Sequence, residues 1–440
     1  MLDVQHRTHR QFLFANREQQ SLFTMLQLRP GSEAATMRPQ LAVAFVVDTS
    51  GSMRDKVTSA ADGGERKTKL DLVIAALQAV FNDADVAGDH DRLALVHFND
   101  DAEVVVPFTS ARDRSTLVAA ASRLKRYSGG TQMGAGMAEA MRLFAAEEGS
   151  RRMVILTDGQ TFDEDVVREV AGEAHRQQVP LTVIGVGDDV NVALLSEIAD
   201  QTQGRMMDIV PDVDDPQPPA IRASDLPRHL LEDVRKAGAE VVTDVRLSVR
   251  TVKGVVVERI TRVYPDLAEV DRSAAPYTLG NVAAGTDTIF IVEMTMPSRP
   301  PARFRVAQLG LTYRVPGADL SGEHPPLEVV VEFTHDERLA SQVDQMVLDY
   351  VKQRNVDQLI RQAATEALSD PAKAAKTLEI ARNLTVSLGN EGMTSVIDRA
   401  YGEVTGGKTI SAGTGKTLLI AAKTLVVRPD VEADATQPDG

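Results

Sequence analysis

From residue 41 to about 210, short apolar runs alternate with segments whose apolar residues recur every three or four positions. Leu41 to Val47, Leu93 to Val96, Met153 to Leu156 and Leu181 to Val186 have the length and β-branched content of buried strands. Between them lie helical stripes, one marked by Leu70, Val73, Ile74, Leu77, Val80 and Phe81, another by Met133, Met137, Ala140, Met141 and Phe144. This alternation predicts an α/β domain over residues 39–210, a mainly parallel sheet with helices on both faces. The turn-rich His97-Phe98-Asn99-Asp100-Asp101, followed by Val104 to Phe108, predicts a hairpin that adds one antiparallel edge strand.

The texture then changes. A Pro/Asp-rich run from Pro211 to Pro219 predicts a linker over 211–224. From 225 to 335 the apolar positions alternate: Val245, Leu247, Val249; Leu309, Leu311, Tyr313, Val315; Leu327, Val329, Val331, Phe333. Period two with one polar face predicts an antiparallel β-sandwich. Leu22, Thr24, Leu26 and Leu28 share the spacing, so residues 1–38 are expected to add strands to that sandwich. From 336 to 402 the helical period returns in Leu339, Val343, Met346, Val347, Tyr350 and Val351, then Val356, Leu359, Ile360, Ala363 and Ala367. A C-terminal bundle of three or four helices follows, with Asp370-Pro371 as a helix start and Gly389 as a stop. Residues 403–427 are expected to be extended, their recurring Lys408-Thr409, Lys416-Thr417 and Lys423-Thr424 read as strand edges or as phospho-acceptors. The Pro-, Asp- and Ala-rich Arg428 to Gly440 is expected to be disordered.

Composition narrows the function classes. With 48 Lys plus Arg against 63 Asp plus Glu, the net charge of −15 gives no electrostatic footprint for a phosphate backbone, so no nucleic-acid partner is expected. The absence of cysteine removes disulfides, zinc–thiolate sites and thiol catalysis together. No apolar run reaches the ~18 residues of a membrane span, and the first residues do not read as a signal peptide, so the expected location is cytoplasmic. Oligomeric state is not legible.

The chemistry concentrates where the first strand of the α/β region ends. Asp48-Thr49-Ser50-Gly51-Ser52-Met53 follows that strand directly, and ligand sites of open α/β sheets form beyond the carboxyl ends of strands. A carboxylate and two hydroxyls at alternate positions, Asp48, Ser50 and Ser52, are hard oxygen donors suited to Mg²⁺, with Ca²⁺ or Mn²⁺ as alternatives. Gly51 is expected to let the backbone bend closely there. Thr131, in Ser128-Gly129-Gly130-Thr131 ahead of a helix, and Asp158, at the end of a strand, supply further oxygens at matching junctions.

At these five positions the sequence resembles the von Willebrand factor A (VWA) family, whose metal-ion-dependent adhesion site has an Asp-x-Ser-x-Ser loop, a later Thr and a later Asp. The resemblance spans about residues 41 to 210 and implies a Rossmann-like VWA domain. It implies that Ser50, Ser52 and Thr131 bind the ion directly, that Asp48 lies close, and that Asp158 acts mainly through water. It further implies that a Glu or Asp of a protein partner completes the coordination. The flanking regions are similar to bacterial VWA proteins of the inter-alpha-trypsin-inhibitor and chloride-channel-regulator-like group. The polar insert Arg54 to Lys69 departs from that pattern beside the site.

Other motifs carry less. Asp55, Asp62 and Glu65 read as a solvated loop. Gly413-Thr414-Gly415-Lys416-Thr417 lacks the leading glycine of a phosphate loop, since Ile410 stands there. The eight histidines show no ligand spacing, His97 reads as a strand residue, and Ser50 and Ser52 lie outside any Gly-x-Ser-x-Gly elbow. The resulting expectation is a non-enzymatic, metal-dependent protein-binding adaptor or scaffold. The alternatives are a metal-assisted hydrolase or, within the binding class, an adaptor of a MoxR-type AAA+ ATPase, the latter by family analogy.

Overall fold

The structure, a computed structural model, describes residues 1–56, 67–83, 88, 90–187, 190–210, 220–407 and 409–429. Asp62 and Glu65, the linker stretch 211–219, Lys408 and the tail from residue 430 onward lie outside the described residues. Two compact units emerge: Ala34–Thr243 with Val315–Leu320, and Met1–Glu33 with Asp244–Arg314 and Ser321–Gly440.

The chain opens with β1 (Leu2–Thr8), β2 (Phe12–Phe14), β3 (Gln20–Pro30) and the short helix α1 (Ser32–Ala35). Then come β4 (Leu41–Asp48), α2 (Lys69–Asn82), β5 (Arg92–Phe98), β6 (Ala102–Ser110), α3 (Arg114–Arg123), α4 (Met133–Phe144), β7 (Ser150–Thr157) and α5 (Glu164–Arg176). The α/β unit continues through β8 (Leu181–Val186), α6 (Val192–Gln201), β9 (Arg205–Val210), β10 (Ile221–Arg222) and α7 (Leu226–Gly238). Its seven strands lie in the order β10-β9-β8-β7-β4-β5-β6. All neighbours are parallel except β5 and β6, so the hairpin edge strand is as the turn residues predict.

Every residue of β4 is buried, because β4 is central and covered on both faces. Leu41, Val43, Phe45 and Val47 meet α2, α3 and α7 in one apolar core. Helix α4 packs on β4, β5 and β6 and continues into α5 and α6. The sandwich expected over 225–335 is corrected at its start: Leu226–Gly238 is a helix, not strand. Leu226, Leu230, Val234 and Ala237 repeat every three or four residues and drop into the α/β core beside α2. Strands β9 and β10 carry the sheet two places past β8.

The second unit contains β11 (Glu240–Thr251, from Asp244), β12 (Val256–Tyr264), β13 (Ala268–Glu269), β14 (Tyr277–Ala283), β15 (Thr288–Met296), β16 (Ala302–Val315) and β17 (Leu320–Thr334). Its strands form two five-stranded sheets, β1-β3-β15-β12-β13 and β14-β11-β16-β17-β2. The N-terminal β3 lies between β1 and β15, antiparallel to both. Helices α8 (Glu337–Ala340), α9 (Gln345–Glu366), α10 (Pro371–Ser387), α11 (Glu391–Thr405) and α12 (Ala412–Thr424) follow. Val347, Tyr350 and Val351 of α9 pack on Met25, Val263, Ile289 and Ile291, while its later residues join α10, α11 and α12 in a separate core. Asp370 caps α10 by accepting from Lys373 N, with Pro371 in the first turn, and Gly389 ends that helix at φ 68°.

Two expectations for the C-terminal region fail. Residues 412–424 are helical rather than extended: Ser411 caps the helix, the Glu403 carboxylate receives Ser411 N and the hydroxyls of Ser411 and Thr414, and Leu418, Ala421 and Ala422 fill the core. The Gly413–Thr417 stretch is therefore a first helical turn. Nor does disorder begin at Arg428, whose guanidinium pairs with the fully buried Asp287 carboxylate. Leu425 O and Val427 N are also held, by Asn390 and Gln353.

Candidate metal centre

Parallel pairing sets the site. Asp48 ends β4 opposite Phe98 of β5, and Val47 lies opposite Leu156, so Thr157 and Asp158 emerge at the same edge. The Asp48 carboxylate is buried and held on both sides: Oδ1 accepts from Ser50 N at 2.8 Å and Oδ2 from Thr157 Oγ1 at 2.8 Å. Thr157 Oγ1 in turn accepts from Gly159 N at 2.9 Å. Burial pushes the Asp48 carboxyl up to about 6 despite these hydrogen bonds, and the nearby Asp158 charge adds to the rise.

After Asp48 the chain makes a single 3₁₀ turn, Gly51–Arg54, which brings Ser50 Oγ and Ser52 Oγ within 3.1 Å of each other. Ser50 is buried and Ser52 exposed. Gly51 does not adopt a left-handed conformation, and a β carbon there would meet only Gly129 O at 3.9 Å. The bend comes from the 3₁₀ turn, correcting the role expected of that glycine. Gly51 N donates to Gly129 O at 3.0 Å, tying this loop to the one that carries Thr131.

Thr131 is buried just ahead of α4. Its carbonyl accepts from Phe162 N at 3.0 Å and from Thr161 Oγ1 at 3.3 Å, joining it to the loop after Asp158. Asp163 in that loop accepts from Gly134 N and Ala135 N, at the exposed end of α4. The Asp48–Ser52, Ser128–Thr131 and Asp158–Asp163 loops thus form one hydrogen-bonded rim. Asp158 is itself buried; Oδ2 accepts from Lys69 Nζ at 3.1 Å, and Oδ1 has no hydrogen-bond partner among the described residues.

Three neighbours carry no clear sequence signal. Lys69, in the first turn of α2, reaches Asp158. Asp100 in the β5–β6 turn lies so close to Gly129 and Gly130 that a β carbon on either would collide with its carboxylate. Phe162 is 87% exposed although its backbone is fixed by the bond to Thr131. The basic side chain in a helical first turn, where cations are disfavoured, is the one clue that Lys69 has a task beyond the helix. Asp55 accepts Lys69 N through its backbone carbonyl.

His97 is a strand residue. Its Nδ1 lies 3.2 Å from Thr49 Oγ1 and its ring stacks on Tyr127 at 3.6 Å between centroids. Burial holds its pKa below the ordinary value against the pull of Glu103.

A model of the von Willebrand factor type A domain matches residues 42–218. The chain carries a VWA domain. Over 154 residues it is 24% identical to the collagen alpha-5(VI) chain of Homo sapiens, a match covering 33% of this chain and only 5% of that one. An uncharacterized protein of Synechocystis sp., sll0103, is 22% identical over 411 residues, 90% of this chain and 91% of its own. The solved von Willebrand factor type A protein of Catenulispora acidiphila superposes with a TM-score of 0.77 at 20% identity, covering 97% of both chains. The ArnB paralog VWA2 of Sulfolobus acidocaldarius superposes at 0.61 with 15% identity, over 97% of this chain and 99% of that one. At such identities the likeness is one of fold, and it extends to the regions flanking the VWA domain. Among the described residues no helix is long and apolar enough to cross a membrane.

The residues present fit a divalent ion. Two hydroxyls 3.1 Å apart follow a buried carboxylate, and Asp158 adds a second buried carboxylate at the same sheet edge, one oxygen without a partner among the described residues. A buried carboxylate oxygen without a donor is costly unless a cation or water meets it. Among the described residues no three His, Cys, Asp or Glu side chains gather in a metal-binding group.

Proposed function

We propose that the chain is a metal-dependent protein-binding adaptor, non-enzymatic, with Mg²⁺ held by Ser50, Ser52 and Thr131 together with Asp48 and Asp158. The observation that carries this reading is the buried Asp158 Oδ1, without a hydrogen-bond partner among the described residues, at the sheet edge where Asp48 and the Ser50–Ser52 hydroxyl pair also emerge. In a complete metal-ion-dependent adhesion site of this kind, neutral hydroxyl ligands leave the ion electrophilic, so a partner's Glu or Asp gains a strong ionic bond. Phe162 supports a docking role. A solvent-exposed aromatic on the rim, on a backbone tied to Thr131, is the residue type that anchors interfaces, because covering it removes a large apolar area from water.

Calorimetric titration of MgCl₂ into the wild-type chain and Asp48→Ala tests the metal. Wild type is expected to give saturable, one-to-one heat and the variant none, with unchanged far-ultraviolet circular dichroism. Equal binding by a folded Asp48→Ala chain would overturn the assignment.

A further inference from the structure

The chain supplies a cation of its own at this site. Lys69 Nζ lies 3.1 Å from Asp158 Oδ2, and both side chains are nearly closed to solvent. Its placement is specific. Lys69 N donates to Asp55 O at 3.0 Å and the Thr68–Asp71 capping box fixes the helix start, so the stem leaves the backbone in a set direction. The stem then passes Gly187, where a β carbon would come within 2.9 Å of Lys69 Cε and 3.2 Å of Nζ. Gly187, at φ 103°, leaves the room that the ammonium occupies.

Resting on the metal reading above, we infer that Lys69 is the built-in counter-cation of this site. It neutralises Asp158 when no ion is bound, weakens divalent binding, and leaves the ion-filled site one charge more positive toward a partner's carboxylate. The charge count shows why. Over these four groups Asp48 and Asp158 contribute −2, Lys69 +1 and the ion +2, giving +1 with the lysine in place and zero without it, and the Asp100 carboxylate on the rim lowers both sums equally. The less positive site holds its ion more firmly yet attracts an acidic side chain less. Lys69 thus shifts the balance from storing a cation toward recognising a partner, and it does so through Asp158 as a positioning residue.

The test uses the full-length chain and MgCl₂, with affinity by calorimetry and thermal midpoint with and without the ion. Lys69→Met is expected to bind Mg²⁺ at least about tenfold more tightly than wild type, the effect of removing a unit charge within several ångströms of a divalent ion even at water-like screening. Its ion-free midpoint should fall, because Asp158 loses its partner, and the ion should restore it. Lys69→Arg keeps the charge and should stay within about threefold of wild type. If Lys69→Met folds poorly without ion, Lys69→Gln replaces it in the titration. Wild type binding Mg²⁺ with the neutral variants no tighter overturns the inference and leaves the metal reading standing. Tightening by Lys69→Arg equal to that by Lys69→Met also overturns it, since charge would then not be the cause. Binding by Lys69→Met but not by wild type supports the inference in a stronger form, with the ammonium occupying the site, and refutes the Mg²⁺ reading of the native chain. Binding by neither refutes both.

Discussion

Replacing Asp48 by Asn separates what the carboxylate does for the ion from what it costs the fold. The side chain is fully buried and its pKa rises from the ordinary 3.8 to about 6. At about 1.4 kcal/mol for each tenfold change in proton affinity, keeping it ionised in the ion-free protein costs about 3 kcal/mol. The sign follows from proton binding. Between the two pKa values the folded chain holds a proton that the unfolded chain has lost, so this group's contribution to stability falls as pH rises from about 4 to about 6. Above that range the cost is complete. Asn removes it with little loss of geometry, since its amide oxygen can still accept from Ser50 N and Thr157 Oγ1 can turn to accept from the new NH₂ group. Urea unfolding in EDTA near neutral pH should therefore show Asp48→Asn more stable than wild type by about 1–3 kcal/mol, the lower bound allowing for an imperfect amide fit. Near about pH 4.5 the advantage should shrink to about 1 kcal/mol or less. Saturating MgCl₂ should reverse the order, because an ion at a thousandfold excess over its dissociation constant adds about 4.1 kcal/mol to wild type and nothing to the variant. If Asp48→Asn is less stable than wild type in EDTA at neutral pH, the burial penalty is already offset by its surroundings and the reasoning fails.

Further predictions follow from single contacts. Thr131→Ala should weaken Mg²⁺ binding about tenfold by calorimetry without loss of fold, since water can replace a neutral oxygen, while Thr131→Asp should retain the ion. Gly136→Ala places a β carbon 2.8 Å from Phe98 Cδ1, and the resulting overpacking of α4 on β5 should cost about 1–3 kcal/mol in urea unfolding. Arg428→Ala should lower stability by about 1–2 kcal/mol, because Asp287 then keeps only Arg29 and Gln27; an unchanged thermal midpoint would show that the pair contributes nothing.

Legibility in the sequence tracks the strength of periodicity. Leu41–Val47 and Leu181–Val186 are unbroken apolar runs, because central parallel strands are buried on both faces. Strand β9 carries Arg205 and Asp208 among six residues and β10 has only two, so neither rises above its surroundings. Helix α7 has a full helical period, but the stripe Leu226, Leu230, Val234 and Ala237 sits between a Pro-rich segment and an alternating one, and only its docking beside α2 assigns it to the α/β unit. Helix α12 has small residues where larger ones would mark a core face, Ala421 and Ala422 in place of Leu or Val. At the metal centre, the donor residues are legible because strand ends and short loops keep them near in sequence or at equivalent junctions. Lys69, Asp100 and Phe162 are not legible, since each reaches the rim through a tertiary contact that no local spacing encodes.

The same tertiary contacts bear on whether the ion would bind or activate water. Activation of a metal-bound water for hydrolysis calls for a base free to take its proton. The imidazole in contact with this loop is His97, whose Nδ1 is engaged with Thr49 and whose ring is buried and stacked against Tyr127, with Glu103 the acidic group beside it. Asp48 holds two hydrogen bonds on its two oxygens, and one oxygen of Asp158 is engaged by an ammonium. Among the described residues His97, Asp48 and one oxygen of Asp158 are thus tied to structural partners, Asp158 Oδ1 alone of these being left for the ion, and the rim offers an exposed aromatic beside Thr131. These restraints and the apolar anchor support the proposed carboxylate-gripping role. On the proposed reading a partner would bring an acidic side chain long enough to reach the ion, with an apolar surface to cover Phe162.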